Sequence, residues 1–165
     1  MIVILLHASL FAASSEKELE AVVIGKFSHF ITWQEKEDNK NFIITIFNNN
    51  TFDTSLETLY HNKKIHKKPV KINYIDSIDD IGFTHILFVT THSIQDQKSI
   101  IDYAQKNAIL TISKNSGFAQ RGGVIQLSFV SQKIHLKINN NAAKKSNLKI
   151  SALLLSIANV IQGDK

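Results

Sequence analysis

The chain has no cysteine, which removes a disulfide framework, a zinc–thiolate centre and a thiol nucleophile together. One proline, Pro69, is all it contains, and no internal repeat, linker or low-complexity segment divides it. Glycine is scarce at six, yet Gly117, Gly122 and Gly123 crowd one short stretch. Arginine is scarcer still: Arg121, in that same stretch, is the single one, and lysine supplies the remaining positive charge. Enzyme signatures are missing as well. There is no G-x-S-x-G elbow, no Walker loop and no H-E-x-x-H, so the residues suggest no enzyme and no cofactor.

What is present describes an ordinary globular unit. With 165 residues and 44% apolar content, the chain can bury a sizeable core and does not read as disordered. The net charge of +5 rests on lysine without interleaved aromatics, a poor match to a nucleic-acid interface. The densest cluster, His61 to Lys71, reads as a solvated turn complementing a helix C-terminus, with a membrane surface or an acidic partner as the alternative. Ile2 to Ala12 is apolar but too short to anchor in a bilayer, and Ala12-Ala13-Ser14 follows with small residues at the cleavage positions. Residues 1–14 are therefore expected to be a signal peptide and 15–165 the exported domain, although the usual basic n-region is missing.

Hydrophobic periodicity organises the rest. Glu16–Gln34 is expected to be an amphipathic helix with Leu19, Val22, Val23, Phe27, Phe30 and Ile31 inward, closed by Trp33. Phe42–Phe47 and His85–Thr90 read as strands buried on both faces, and Pro69–Ile75 as a shorter alternating strand. Helices are expected from about Phe52 to His61 and from a Ser93 cap to Asn107, with a turn over Asp76–Gly82 between the later strands. Ile109–Ser113 is the next strand. Val124–Val130 and Lys133–Ile138, two residues apart, read as a hairpin. Asn139–Ser146 and Lys149–Ile161 are expected to close the chain as helices, the second with Ile150, Leu153, Leu154, Ile157 and Ile161 on one face. The fold class is thus α/β: a single-domain layered sandwich, a mainly parallel sheet with a C-terminal antiparallel hairpin, flanked by helices.

Two groups of residues are candidates for binding. Ser113 to Gly123 would leave the carboxyl end of a parallel strand, where open α/β sheets tend to bind ligands. There Phe118 offers an aromatic face, Arg121 a planar fork for carboxylate or phosphate, and Gly122 and Gly123 backbone N–H groups. The same residues are equally compatible with a structural turn. His135 and Lys137, two apart on a strand, share a face that could grip an acidic partner or a small carboxylate, or simply meet solvent. The seven histidines are scattered, His61 and His66 lie among lysines that oppose a cation, and His85 reads as a hydrogen-bonded core-edge residue; no metal site is expected.

The ordered motifs also resemble a known family. LTIS at 110–113, GFA at 117–119, Gly122-Gly123, the hairpin ending in Ile138-Asn139, and the Ala142-Ala143 to Leu155 segment resemble the C-terminal half of YfiR-like (DUF4154) domains. Lys26, Phe27, Phe30 and Trp33, with Ile46–Phe52 and Thr84–Val89, extend the resemblance over about Ala21 to Ile161. Many relatives carry a cysteine where this chain has Thr84, so any thiol role there is lost. The resemblance implies a non-enzymatic periplasmic domain that binds and represses an inner-membrane signalling protein. A diguanylate cyclase is the first such partner, tying the domain to cyclic-di-GMP and biofilm formation, and a sensor histidine kinase the second. Self-association into a homo-oligomer is implied too. Binding of a small anionic ligand is the alternative function, with the two residue groups above as its contacts.

Overall fold

The computed structural model describes residues 16–33, 39–47, 52, 54–131 and 133–162. The apolar N-terminal run and the expected cleavage site lie outside these residues, as do Asn48 to Thr51 and Gln132 of the hairpin connection. Eight strands form one sheet: β2 (Phe42–Phe47), β3 (Lys64–Ile65), β4 (Lys68–Ile75), β5 (Ile86–Val89), β6 (Leu110–Ser113), β7 (Ile125–Val130), β8 (Lys133–Asn139) and β10 (Asn159–Ile161). Their order is β10-β8-β7-β6-β5-β2-β4-β3. Pairings from β7 through β4 are parallel, whereas β7–β8 and β3–β4 are antiparallel. The expected mixed α/β architecture, mainly parallel with a C-terminal hairpin, is what the chain adopts.

The two central apolar runs explain the middle of the sheet. Every residue of β2 and of β5 is buried, because both faces are covered. On one face lie α1 (16–26), α2 (Ser55–Tyr60), α4 (Asn140–Lys145) and α5 (Ala152–Ile157), whose Ala21, Ile24, Leu56, Tyr60, Ala142, Ala143 and Leu154 join Ile44, Ile46, Phe88 and Ile112 in the larger core. On the other, α3 (Ile94–Lys106) sets Ile100, Ile101 and Ala104 against Leu87, Val89 and Phe118. Each fully buried Ile or Phe contributes roughly 1.5–3 kcal/mol. Caps start the later helices: Ser93 Oγ accepts from Asp96 N at 3.2 Å, and Asn139 Oδ1 from Ala142 N at 2.9 Å. No helix among the described residues is long and apolar enough to cross a membrane.

Both expected terminal helices are shorter than their periodicity suggests. After residue 26 the chain tightens into a 3₁₀ turn, Phe27–Phe30, and then becomes β1 (Ile31–Trp33). Trp33 is therefore a strand residue and does not end a helix, and Gln34 lies outside the described residues. The C-terminal stretch becomes β9 (Leu148–Ile150), α5 and β10. The reason is tertiary: β1 and β9 form their own antiparallel sheet, Ile31 opposite Ile150, and Ser151 N donates to Phe30 O at 2.8 Å. Pairing between β-branched segments far apart in sequence overrides local helical periodicity.

The inward stripe of α1 is also displaced. Glu20, Ala21, Ile24 and Gly25 are buried, while Leu19 is exposed. Gly25 is required by contact, since a Cβ there would overlap the hydroxyl of Tyr60, which donates to Ala21 O at 2.9 Å. Glu20 is fully enclosed, with Lys114 Nζ 3.0 Å from its Oε2. Burial pushes its carboxyl above the ordinary value of 4.5, against the opposing pull of the Lys114 hydrogen bond and charge. Since Lys114 follows β6 directly, α1 starts at the carboxyl end of the parallel strands and delivers β1 to their amino end.

Candidate functional site

The carboxyl-end loop, 114–123, bonds four of its amides to its own carbonyls. Amides of Phe118, Arg121, Gly122 and Gly123 donate to Asn115, Gly117, Ala119 and Phe118 carbonyls at 3.0–3.2 Å. Asn115 Nδ2 reaches Thr91 O at 2.6 Å, and Asn139 Nδ2 reaches Ala119 O at 2.9 Å. Arg121 donates from Nε (3.1 Å) and Nη2 (2.6 Å) to Oε1 of the buried Gln97, and from Nη2 to Ser116 O at 3.0 Å. Phe118 is wholly buried against α3, so it presents no aromatic face to a ligand.

The glycines have internal causes. Gly117 and Gly122 sit at φ 76° and 106°, where side chains are strained, and a Cβ on Gly123 would overlap the Phe118 ring. The backbone N–H groups expected to face a ligand at Gly122 and Gly123 are thus used by the turn itself. His135 and Lys137 stand along β8 opposite Ser128 and Gln126, His135 exposed and Lys137 half-buried. They share the sheet face from which Gln126 Oε1 approaches Ala119 N at 3.5 Å.

A cavity of about 260 Å³ opens at the opposite, amino end of the parallel strands. Ile31, Thr32 and Trp33 of β1 line it, with Phe42 at the start of β2, Lys68 at the start of β4, His66 of the β3–β4 turn, and His85 just before β5. Its wall is built of rings in contact with one another. His85 stacks on Phe42 with centroids 4.3 Å apart, and Trp33 meets Phe42, His85 and His66 edge-on at 5.7, 5.9 and 6.1 Å.

Two backbone contacts fix the histidines. Ile43 N donates to His85 Nδ1 at 3.0 Å, which places the proton of the neutral ring on Nε2. His66 Nε2 donates to Ser28 O at 2.9 Å, and His66 and Lys67 both have left-handed backbone, φ 50° and 66°. That two-residue turn is the primed type a tight hairpin favours, here built without glycine or asparagine. Next to His85, the Thr84 hydroxyl accepts from Thr45 Oγ1 and donates to Ile86 O, both at 2.9 Å. Sequence reading missed this site because its residues come from four separated segments; the expected core-edge bonding of His85 was the signal available.

The arrangement can hold an apolar group against its rings, with the cation Lys68 also in the lining. Comparison with curated proteins returns no match. The family model described as YfiR/HmsC-like (DUF4154) matches residues 17–159, from the first turn of α1 to the first residue of β10. With nearly all the described chain inside that match, the protein belongs to the YfiR/HmsC-like family, whose domains are periplasmic and regulatory in type.

Proposed function

We propose that this domain is a non-enzymatic periplasmic regulator that binds the outer region of an inner-membrane signalling protein and holds it inactive. The observation that carries the reading is the α5–β10 edge. Leu153 and Ile157, four apart on α5, are 64% and 70% exposed, and Val160 on the neighbouring edge strand is 46% exposed. Leu154, buried, and Leu155, partly buried, anchor α5 to the core. An apolar patch beside an edge strand that pairs on one side only is a ready surface for a protein partner. The family's regulatory character favours a diguanylate cyclase, with control of cyclic-di-GMP and biofilm formation, ahead of a sensor kinase.

Photo-crosslinking from positions 153 and 157 in the native host tests it. Capture of one inner-membrane protein with a cyclase output is expected, and Leu153→Asp/Ile157→Asp should release that cyclase. Capture of copies of this chain alone would assign the patch to self-association and overturn the reading.

The cavity favours a second reading, a sensor for a small anion carrying a flat apolar body. Trp33 is the sole tryptophan and lines the cavity, so its fluorescence reports occupancy directly. Saturable quenching by aromatic carboxylates, weakened by Lys68→Ala, is the expected result; quenching that never saturates would exclude a site.

A further inference from the structure

The lysine-rich stretch is not placed where a helix terminus would use it. Helix α2 ends at Tyr60 with no basic residue in its last turn, and the lysines lie on and beside the β3–β4 hairpin at the outermost edge of the sheet. Lys63, Lys64, Lys67 and Lys71 are all exposed, and none forms an ion pair among the described residues. The sequence between Glu57 and Asp76 contains no acidic residue.

Strand pleating then sorts the hairpin into two faces. Ile65, Val70 and Ile72 turn toward the larger core, while Lys64, paired with Pro69, and Lys71 turn the other way. That second face is covered by α3 in the middle of the sheet, but at β3 and the start of β4 its residues are open. The left-handed pair His66–Lys67 and the His66–Ser28 bond hold the tip in one conformation. Lys64 and Lys71 thus share the open face, with Lys67 at the tip of the hairpin and Lys63 just before β3.

We propose that the β3–β4 hairpin docks this domain electrostatically on an anionic phospholipid surface. Lysine, a compact point charge, suits a layer of headgroups, whereas pairing with defined carboxylates favours the arginine fork. The chain has eighteen lysines and one arginine, and that arginine is bonded internally to Gln97. Each lysine near such a surface contributes about 1 kcal/mol, roughly fivefold in partitioning, over a reach of about 8 Å at physiological salt. The proposal does not rest on the partner reading, since it uses a different edge of the sheet from α5–β10.

The test is co-sedimentation of the chain with phosphatidylglycerol–phosphatidylcholine vesicles and with phosphatidylcholine vesicles alone. Binding to the anionic vesicles, abolished near about 1 M salt where screening shortens to about 3 Å, is expected. Replacing Lys63, Lys64, Lys67 and Lys71 together by Gln should weaken it about a hundredfold or more. A control with the same net charge, Lys98, Lys106, Lys133 and Lys144 to Gln, should weaken it only a few-fold, and circular dichroism should show both variants folded. Equal loss in the two variants would mean that net charge alone acts, and the site would be withdrawn. Retention on immobilised polyglutamate without vesicle binding would assign the hairpin to an acidic protein and overturn the proposal.

Discussion

The two ends of the parallel strands are built from opposite materials. The carboxyl end carries half the chain's glycines and its one arginine, and the loop there folds back on itself around a buried Phe118. The amino end has ring-bearing side chains and no glycine in its lining, and it encloses an open volume of about 260 Å³. Glycine lets backbone approach backbone, so a glycine-rich loop can close on its own carbonyls and leave little to offer a ligand. The rings of His85 and His66, each bonded to the backbone, line that volume instead. The end that looks specialised in sequence is occupied with its own structure.

Substitutions sharpen this contrast, the largest at the closed end. Gly123→Ala would drive a methyl into the Phe118 ring, which has no room to move, and should cost about 3 kcal/mol. A melting temperature lowered by roughly 6–12 °C in a thermal scan is expected. Arg121→Ala should cost about 1–3 kcal/mol, because the buried Gln97 Oε1 loses both its donors. Lysine at 121 should not rescue it, lacking the fork that reaches Gln97 and Ser116 together. Urea titrations measure both. An Arg121→Ala variant as stable as wild type would return that arginine to the list of groups available for a ligand.

A smaller effect is expected where α1 meets the carboxyl end. Because burial raises the Glu20 carboxyl above 4.5, the folded state binds that proton more tightly than the unfolded chain. Its contribution to stability is complete below 4.5 and is lost as pH rises through the folded-state value. Glu20→Gln should therefore raise the melting temperature near neutral pH and leave it unchanged well below 4.5. The same shift at both pH values would show that side-chain shape, not charge, is responsible. The smallest effect belongs to the open end: the buried Trp33 indole N–H has no hydrogen-bond partner among the described residues, so Trp33→Phe removes a desolvated donor along with some packing. A change within about 1 kcal/mol is expected by urea titration, with the proposed quenching signal transferred to a tryptophan placed elsewhere.

Much of the fold was legible from local pattern. The fully buried strands FIITIF and ILFV, the Ser93 cap and the Val124–Ile138 hairpin all stand where hydrophobic pattern and capping chemistry put them. Such features depend on neighbours a few residues away, which the sequence displays directly. The 31–33 and 148–150 segments were not legible, because each is a strand only by virtue of the other, more than a hundred residues distant. Leu153 and Ile157 show the same limit, since their helical spacing suited a buried stripe and the packing of α5 through Leu154 turned them outward.

By itself, then, the sequence determined the alternation of buried strands and helices, the family, and the absence of thiol chemistry, since composition and short-range periodicity carry those directly. The tertiary structure alone decided which polar groups are used internally and which stay available. Arg121 is tied by a glutamine twenty-four residues earlier in the chain, and the cavity gathers Trp33, Phe42, His66 and His85 from separate segments. Whether a side chain meets solvent or its own protein depends on what packs behind it, and that neighbour lies elsewhere in the chain.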